Sequence, residues 1–437
     1  MEKVEGKKIP AGGKPESAID FAAVPAPNLL PRVTIDEVVE KFSSWLYIED
    51  PAVVTVPLAV VTANLMPGDP LWVFMIAPSS SGKSEALRAL SPSKDADAPT
   101  PVLAEMVYSL STLSPHALIS GRIPKAGEDE PSLLPQLDGK TLVIKDFTSI
   151  LSGRDETRRV IFSQLRDAFD GYSEKAFSGG IKSFKSRFGI LAGVTPAIDR
   201  FRAVEQELGE RFVKFRVRGV VDRTMPGRKA LLQSKREPEM RQELNLIVER
   251  FFTGLPMGRE IIIPKAIEEK LLGLASVVSV ARSAVARDRW NETILYRPEP
   301  ELSPRLVKQL LKLGLGLAAV AGKFEVGEEE FALVRRVGFD SLPAREFDIL
   351  TWLWRAGEAG LSSSSLSEAS GYPTPTCSLV CENFRLLGIV NRRGKGKFLW
   401  SLRPEIRGQL DLVMQPEAEM VEFDGGQTPP PGVVSHE

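Results

Sequence analysis

The pattern of apolar and polar positions divides the chain into helical and strand-like stretches joined by turn-rich segments. Residues 34–42 begin at Thr34, carry Glu37 three positions on, and set apolar side chains at helical spacing, so a capped amphipathic helix is predicted. Residues 53–64 are mostly apolar and predict a second helix, followed by a turn at Pro67, Gly68, Asp69 and Pro70. The continuous apolar run 71–77 has the length and composition of a buried parallel strand. A helix over 84–90 should follow it. Further buried strands are predicted over 141–144 and 188–194, with an amphipathic helix over about 156–169 between them. Strands alternating with helices in this way predict a doubly wound α/β sheet. Residues 235–335 read as helical throughout, and 342–402 as three helices and a hairpin. Residues 1–30 lack periodicity, and the end of the chain is rich in glycine and proline (Gly425, Gly426, Pro429, Pro430, Pro431, Gly432), so two loose tails are expected. The expected organisation is a tail over 1–30, an α/β core with N-terminal helices over 31–230, a helical region over 231–338, a compact module over 339–405, and a tail over 406–437.

Composition narrows this little. The 437 residues suit two to three domains, and 43% hydrophobic with 26% charged residues is ordinary for a soluble globular protein. A net charge of −1 gives no global pull towards nucleic acid, so any such contact needs a local basic patch. The two cysteines, Cys377 and Cys381, are spaced to share one helix face and read as small core residues rather than as a disulfide or metal pair. Residues 1–14 are polar, with no signal-peptide core, and the apolar runs 53–63 and 71–77 are too short to span a bilayer. A cytoplasmic protein without membrane contact is expected.

Candidate chemistry begins after the first strand, in the loop Ala77, Pro78, Ser79, Ser80, Ser81, Gly82, Lys83, Ser84. A P-loop wraps phosphates in backbone N–H groups, reaches them with a lysine, and places a hydroxyl on the magnesium ion. Ser79, Ser80, Ser81 and Gly82 would form the wrap, Lys83 the cation, and Ser84 the Mg2+ ligand for bound ATP. Ala77 stands where the first glycine of the motif belongs. The acidic partner should end a neighbouring strand, and Lys145-Asp146-Phe147 offers two registers. In one, Asp146 is the magnesium-linked carboxylate and Phe147 takes the position of a catalytic base. In the other, Lys145 takes the metal-linked position and Asp146 that of the base. Glu105 is a substitute base if 102–108 forms the adjacent strand.

These residues, in this order, resemble AAA+ ATPases, and among them the minichromosome-maintenance-like helicases of phages and mobile elements, over roughly residues 40–335. Ile144-Lys145-Asp146-Phe147 is similar to the family's acidic strand end and favours the second register. Phe188 to Pro196 resembles the sensor-1 strand, with Thr195 in place of the usual asparagine. Leu208 to Phe212 resembles the segment that presents an arginine finger, which would be Arg211. Leu302 to Leu306 resembles the start of the lid helix, with Arg305 as the sensor-2 arginine. Read without the resemblance, Arg211 is a surface ion pair with Glu207 or Glu210, and Arg305 a helix-start residue. The resemblance implies an AAA+ fold with a helical lid, and a homo-oligomer, a hexamer, because a trans arginine needs a neighbour. It also implies a pore hairpin within 177–187, where Lys182 and Lys185 would touch DNA phosphates and Phe184 would stack. The alternative is a solvated surface hairpin.

The module over 342–402 resembles a winged helix, with Arg392, Arg393, Lys395 and Lys397 at the hairpin tip suited to phosphate contact. Its third helix offers only Ser378, Glu382 and Asn383 as base-reading side chains, so non-specific contact is expected. A protein-binding winged helix is the alternative. The leading function is an ATP-driven DNA translocase or helicase acting as a ring on single-stranded or forked DNA. A helicase loader or regulatory ATPase, and a scaffold with a relic nucleotide site, are the competing classes.

Overall fold

A computed structural model describes residues 32–414 apart from 79–80, 94, 96–97, 123, 126–127, 179, 202–208, 257, 289–292 and 395–397. Helix α1 (Ile35–Trp45) starts at the capping box predicted from sequence, with Thr34 Oγ1 accepting from the Glu37 amide at 3.2 Å and Glu37 accepting from the Thr34 amide at 2.7 Å. Helix α2 (Ala52–Leu65) follows, then β1 (Trp72–Ile76), α3 (Lys83–Ala89), α4 (Pro101–Met106), β2 (Val107–Leu110), α5 (Leu134–Leu137), β3 (Thr141–Ile144), α6 (Thr148–Leu151) and α7 (Asp155–Phe169). A hairpin of β4 (Tyr172–Phe177) and β5 (Gly180–Lys185) leads to β6 (Gly189–Val194), a short 3-10 turn (Pro196–Phe201) and β7 (Val213–Arg216).

Five strands form one parallel sheet in the order β2-β3-β6-β1-β7. The fold is thus mixed α/β around a parallel sheet, as the alternating pattern predicts. Trp72, Phe74 and Ile76 face one apolar cluster with Phe147, Phe162, Phe188 and Phe212, while Val73 and Met75 face another with α2 and α3. Burial on both faces explains why β1 reads as an unbroken apolar run. Strand β7 has no counterpart among the predicted ones, and β2 overlaps the conditional strand over 102–108 only at Val107 and Tyr108. The conditional strand over 102–108 is corrected over 102–106, which is helical, because Pro101 occupies the first turn and the Glu249 carboxylate accepts the Val102 and Leu103 amides at 2.8 and 2.9 Å.

Beyond the sheet come α8 (Thr224–Gln233), α9 (Glu237–Thr253), α10 (Lys265–Arg282), α11 (Pro304–Ala321) and α12 (Glu328–Asp340). These helices pack back on the core: α9 against α1, α3 and α4, α11 along α2, and α12 against β7. Helix α2, lying between the sheet and α11, is buried on nearly every side and shows no polar face. The C-terminal module contains α13 (Ala344–Arg355), α14 (Ser363–Ser370), α15 (Thr374–Leu386) and the antiparallel pair β8 (Val390–Arg393) and β9 (Leu399–Leu402). Cys377 and Cys381 are buried in its core, as expected. The loose tail expected from 406 is corrected over its first residues. Helix α16 (Pro404–Val413) runs through them, burying Leu410, Val413 and Met414 against the body of the protein. Residues 1–30 of the other expected tail lie outside the described residues. Among the described residues no helix is long and apolar enough to cross a membrane.

Candidate nucleotide-binding site

In a parallel α/β sheet, ligands collect outside the carboxyl ends of the strands. Here β1, β3 and β6 all deliver candidate side chains to that edge. The loop leaving β1 turns at Gly82, whose φ of 80° lies in the left-handed region, and Ser81 Oγ donates to the Pro78 carbonyl at 2.8 Å. Lys83 then opens α3. Its ammonium is buried and donates to the Ala77 carbonyl at 3.2 Å and to the Val194 carbonyl at 2.5 Å. It therefore bridges the ends of β1 and β6. Ser84 is exposed at the same helix start, and Ser79 and Ser80 lie outside the described residues.

Asp146 follows β3 and is exposed at the same edge. Burial pulls the Lys83 ammonium below its usual range, and the nearby Asp146 carboxylate opposes that shift. The acid and the lysine are thus close enough to feel each other, although β6 lies between their strands. Asp146 Oδ1 accepts from the Thr148 amide at 3.0 Å, and Thr148 Oγ1 accepts from the Thr195 amide at 3.0 Å. Thr148, which no sequence motif marks, ties the predicted acid to the predicted sensor threonine. Gly193 allows this approach: a Cβ there would meet the Lys145 carbonyl at 2.6 Å and Leu87 at 2.9 Å. Lys83, Asp146 and Thr195 therefore come together at one edge of the sheet.

Phe147 is fully buried against Phe74 and Phe212, so that position presents no base. Glu105 is removed from consideration as a base by the helix correction above. It precedes β2, at the edge opposite Asp146, because Leu110 pairs with Ile144 at the Asp146 end.

Arg211 and Arg305 also lie away from this edge. Arg211 precedes β7, whose Val213 pairs with Val73 near the start of β1. At about 3.3 Å per residue, the length of β1 puts Arg211 roughly 15 Å from its own Lys83 loop. Arg211 meets Asp170 at 3.6 Å, Glu207 lies outside the described residues, Glu210 meets Arg282 at 3.8 Å, and Arg305 Nη1 donates to the Gly209 carbonyl at 2.9 Å. Both guanidiniums rest over the Phe169 ring. No sequence signal pointed to Phe169.

The expected DNA contacts fare unevenly. Strand alternation turns Lys182 and Phe184 to the inner face of the hairpin, where the Lys182 ammonium bonds Glu130 at 2.8 Å and Phe184 packs on the core. The expectation that these two face DNA is corrected on that ground. Lys185 stays on the exposed face, with Tyr172 and with Ile181, which is 68% exposed. Arg393 is exposed, whereas Arg392 pairs with Glu382 at 3.1 Å and covers the Phe398 ring. Lys395 and Lys397 lie outside the described residues. Asn383, a predicted base reader, accepts from Arg287 at 2.8 Å inside the molecule.

For Mg2+, the relevant donors are the Ser84 hydroxyl and the Asp146 carboxylate. Among the described residues no group of three or more His, Cys, Asp or Glu can hold a metal ion unaided. One carboxylate and one hydroxyl nevertheless fit an ion that keeps waters and shares substrate phosphates. No protein-family model matches the chain, and no curated protein matches it either.

Proposed function

We propose that this chain is a P-loop ATPase of AAA+ type, working as a ring in ATP-driven movement along or unwinding of DNA. The observation that carries the ATPase part is the meeting of Lys83, Asp146 and Thr195 at the carboxyl edge of the parallel sheet. Lys83, held by two carbonyls, exchanges them for the terminal phosphates of ATP. Ser84 and Asp146 hold Mg2+, which when bound neutralises charge developing on the phosphates. This role for Asp146 is the first of the two registers, favoured by its influence on Lys83. Thr195 orients the attacking water. With Phe147 in the core, no second acid follows Asp146, so hydrolysis is slow. Arg211 and Arg305, at the far edge, act on a nucleotide bound by a neighbouring copy.

The winged-helix reading of residues 342–402 and the exposed Lys185 and Arg393 support non-specific contact with DNA. One observation favours a second reading, a helicase loader or regulatory ATPase: the inward Lys182 and Phe184 leave the hairpin few groups for pulling a strand. ATP hydrolysis and strand displacement on forked DNA, measured for the wild type and Lys83→Ala, test both. The helicase reading expects both activities in the wild type and neither in the variant. Unwinding that survives Lys83→Ala sinks it, and hydrolysis without any unwinding leaves the loader reading standing.

A further inference from the structure

We propose that helix α8 is the docking face for the chain's own acidic segment, residues 415–424. Helix α8 buries no side chain. Leu231 is 78% exposed and Leu232 77%, and Met225 and Val221 are exposed beside them. At about 100° per residue, Met225, Arg228, Leu231 and Leu232 share the outward side, while Pro226, Lys229 and Gln233 are half-buried on the opposite one. A helix this short is marginal on its own in water, and an apolar side left open invites a cover.

The charge around this face has one sign. Arg223, Arg228 and Lys235 are exposed and form no ion pair among the described residues. Asp222, the only acid between Arg218 and Arg236, is already engaged by the Thr224 amide and hydroxyl at 2.8 and 2.7 Å. A matching partner therefore brings carboxylates and apolar side chains together. Residues 415–424 do so: Glu417, Glu419, Glu422 and Asp424 are interleaved with Met420, Val421 and Phe423, and no Lys or Arg occurs among them. Nucleic acid offers the negative charge but little to cover Leu231 and Leu232. The segment also starts within reach. The Val413 carbonyl accepts from Arg335 at 3.0 Å, and the next residue, Arg336, donates to Asp50 at 3.0 Å. Asp50 in turn accepts the Arg218 amide, and Glu49 the Val221 amide, both at 3.1 Å, on the approach to α8. A helix is about 10–12 Å across, so Val413 and Asp50 lie within roughly 20 Å of each other, and residues 415–424 can reach about 35 Å. Exposed ion pairs are individually weak, so covering Met225, Leu231 and Leu232 supplies most of the contact. The tether raises the segment's effective concentration to the order of mM, enough to keep a weak contact closed.

The test uses the full chain. A carbodiimide joins carboxylates to lysines in contact with them, and linked peptides are read by mass spectrometry from the single-chain and double-chain bands of a denaturing gel. The expected links join residues 417–424 to Lys229 or Lys235 in the single-chain band. Hydrogen exchange of residues 224–233 is measured alongside, for the wild type and for Glu419→Lys with Glu422→Lys. Exchange about fivefold faster in that variant is expected at an unchanged melting temperature, and adding Arg228→Glu with Lys235→Glu restores the slow rate. Links confined to the double-chain band overturn the same-chain contact in favour of a second copy. Absence of links to both lysines, or equal exchange in wild type and charge-reversed variant, overturns the docking. Protection of 224–233 that appears only when duplex DNA is added assigns the helix to nucleic acid instead.

Discussion

Lys83 and Lys312 are both buried, and their surroundings give them different consequences. Lys83 has two carbonyls and a nearby carboxylate, an arrangement that keeps a cation ready for exchange. Lys312, on α11, donates to the Asp69 carbonyl at 2.6 Å, and burial together with Arg187 pushes its ammonium down to about 7, with Asp69 only partly opposing. In the unfolded chain this lysine keeps its proton to about pH 10. Between the two values the unfolded state binds more protons, so stability rises with pH. From this group the gain is about 2 kcal/mol between about pH 7 and about pH 9. Chemical denaturation at those two pH values should show the rise in the wild type and its loss in Lys312→Met. Equal slopes in both proteins would show that Lys312 stays charged in the folded state.

At the scale of elements, the hairpin β4–β5 separates the two lysines of β5 by face. Lys182→Ala removes a bond to Glu130 from a side chain only 12% exposed and should cost about 1 kcal/mol of stability, leaving the salt dependence of DNA binding unchanged. Lys185→Ala should spare stability and lower that salt slope by about one. Denaturation and DNA titration at several salt concentrations check both, and the opposite assignment would reverse the faces. Helix α16 makes a second case. Trp354 Nε1 donates to Asp411 at 2.7 Å and Arg335 to the Val413 carbonyl at 3.0 Å, alongside the buried Leu410, Val413 and Met414. Ending the chain at residue 403 should destabilise it by about 4–6 kcal/mol and lower the melting temperature. An unchanged melting temperature would mean that α16 is dispensable.

For the whole molecule, Lys83 and Arg211 lie at opposite edges of one sheet, so the proposed site, if completed by Arg211, would need two copies. Hydrolysis per chain should fall on dilution, in step with particle mass measured by light scattering. A constant rate from a particle of monomer mass would refute arginines acting in trans. The packing of α9 and α11 on the core helices and of α12 on β7 makes the helical region part of the same apolar cluster as the core. A motion of those helices would have to shear a packed interface rather than swing a detached lid.

Local rules were enough to read much of this from the residues in order. The α1 capping box, the apolar run of β1, the alternation of strand and helix, and the turn at Gly82 all depend on neighbours a few positions away. The candidates Lys83, Asp146 and Thr195 were legible because each ends or follows a recognisable strand. Strand order was not legible, since it depends on pairings between residues far apart in the chain, and it decides that β6 stands between the lysine and the acid. Nor was the inward turn of Lys182 and Phe184, which follows from which hairpin face meets the core. Glu249 holds the first turn of α4, at the start of the conditional strand, from 147 positions away. Phe169 shows no local mark either, and only the folding of α7 against β1 brings its ring beneath two arginines. Neighbouring residues set the local elements, while burial and long-range pairing chose which side chains meet.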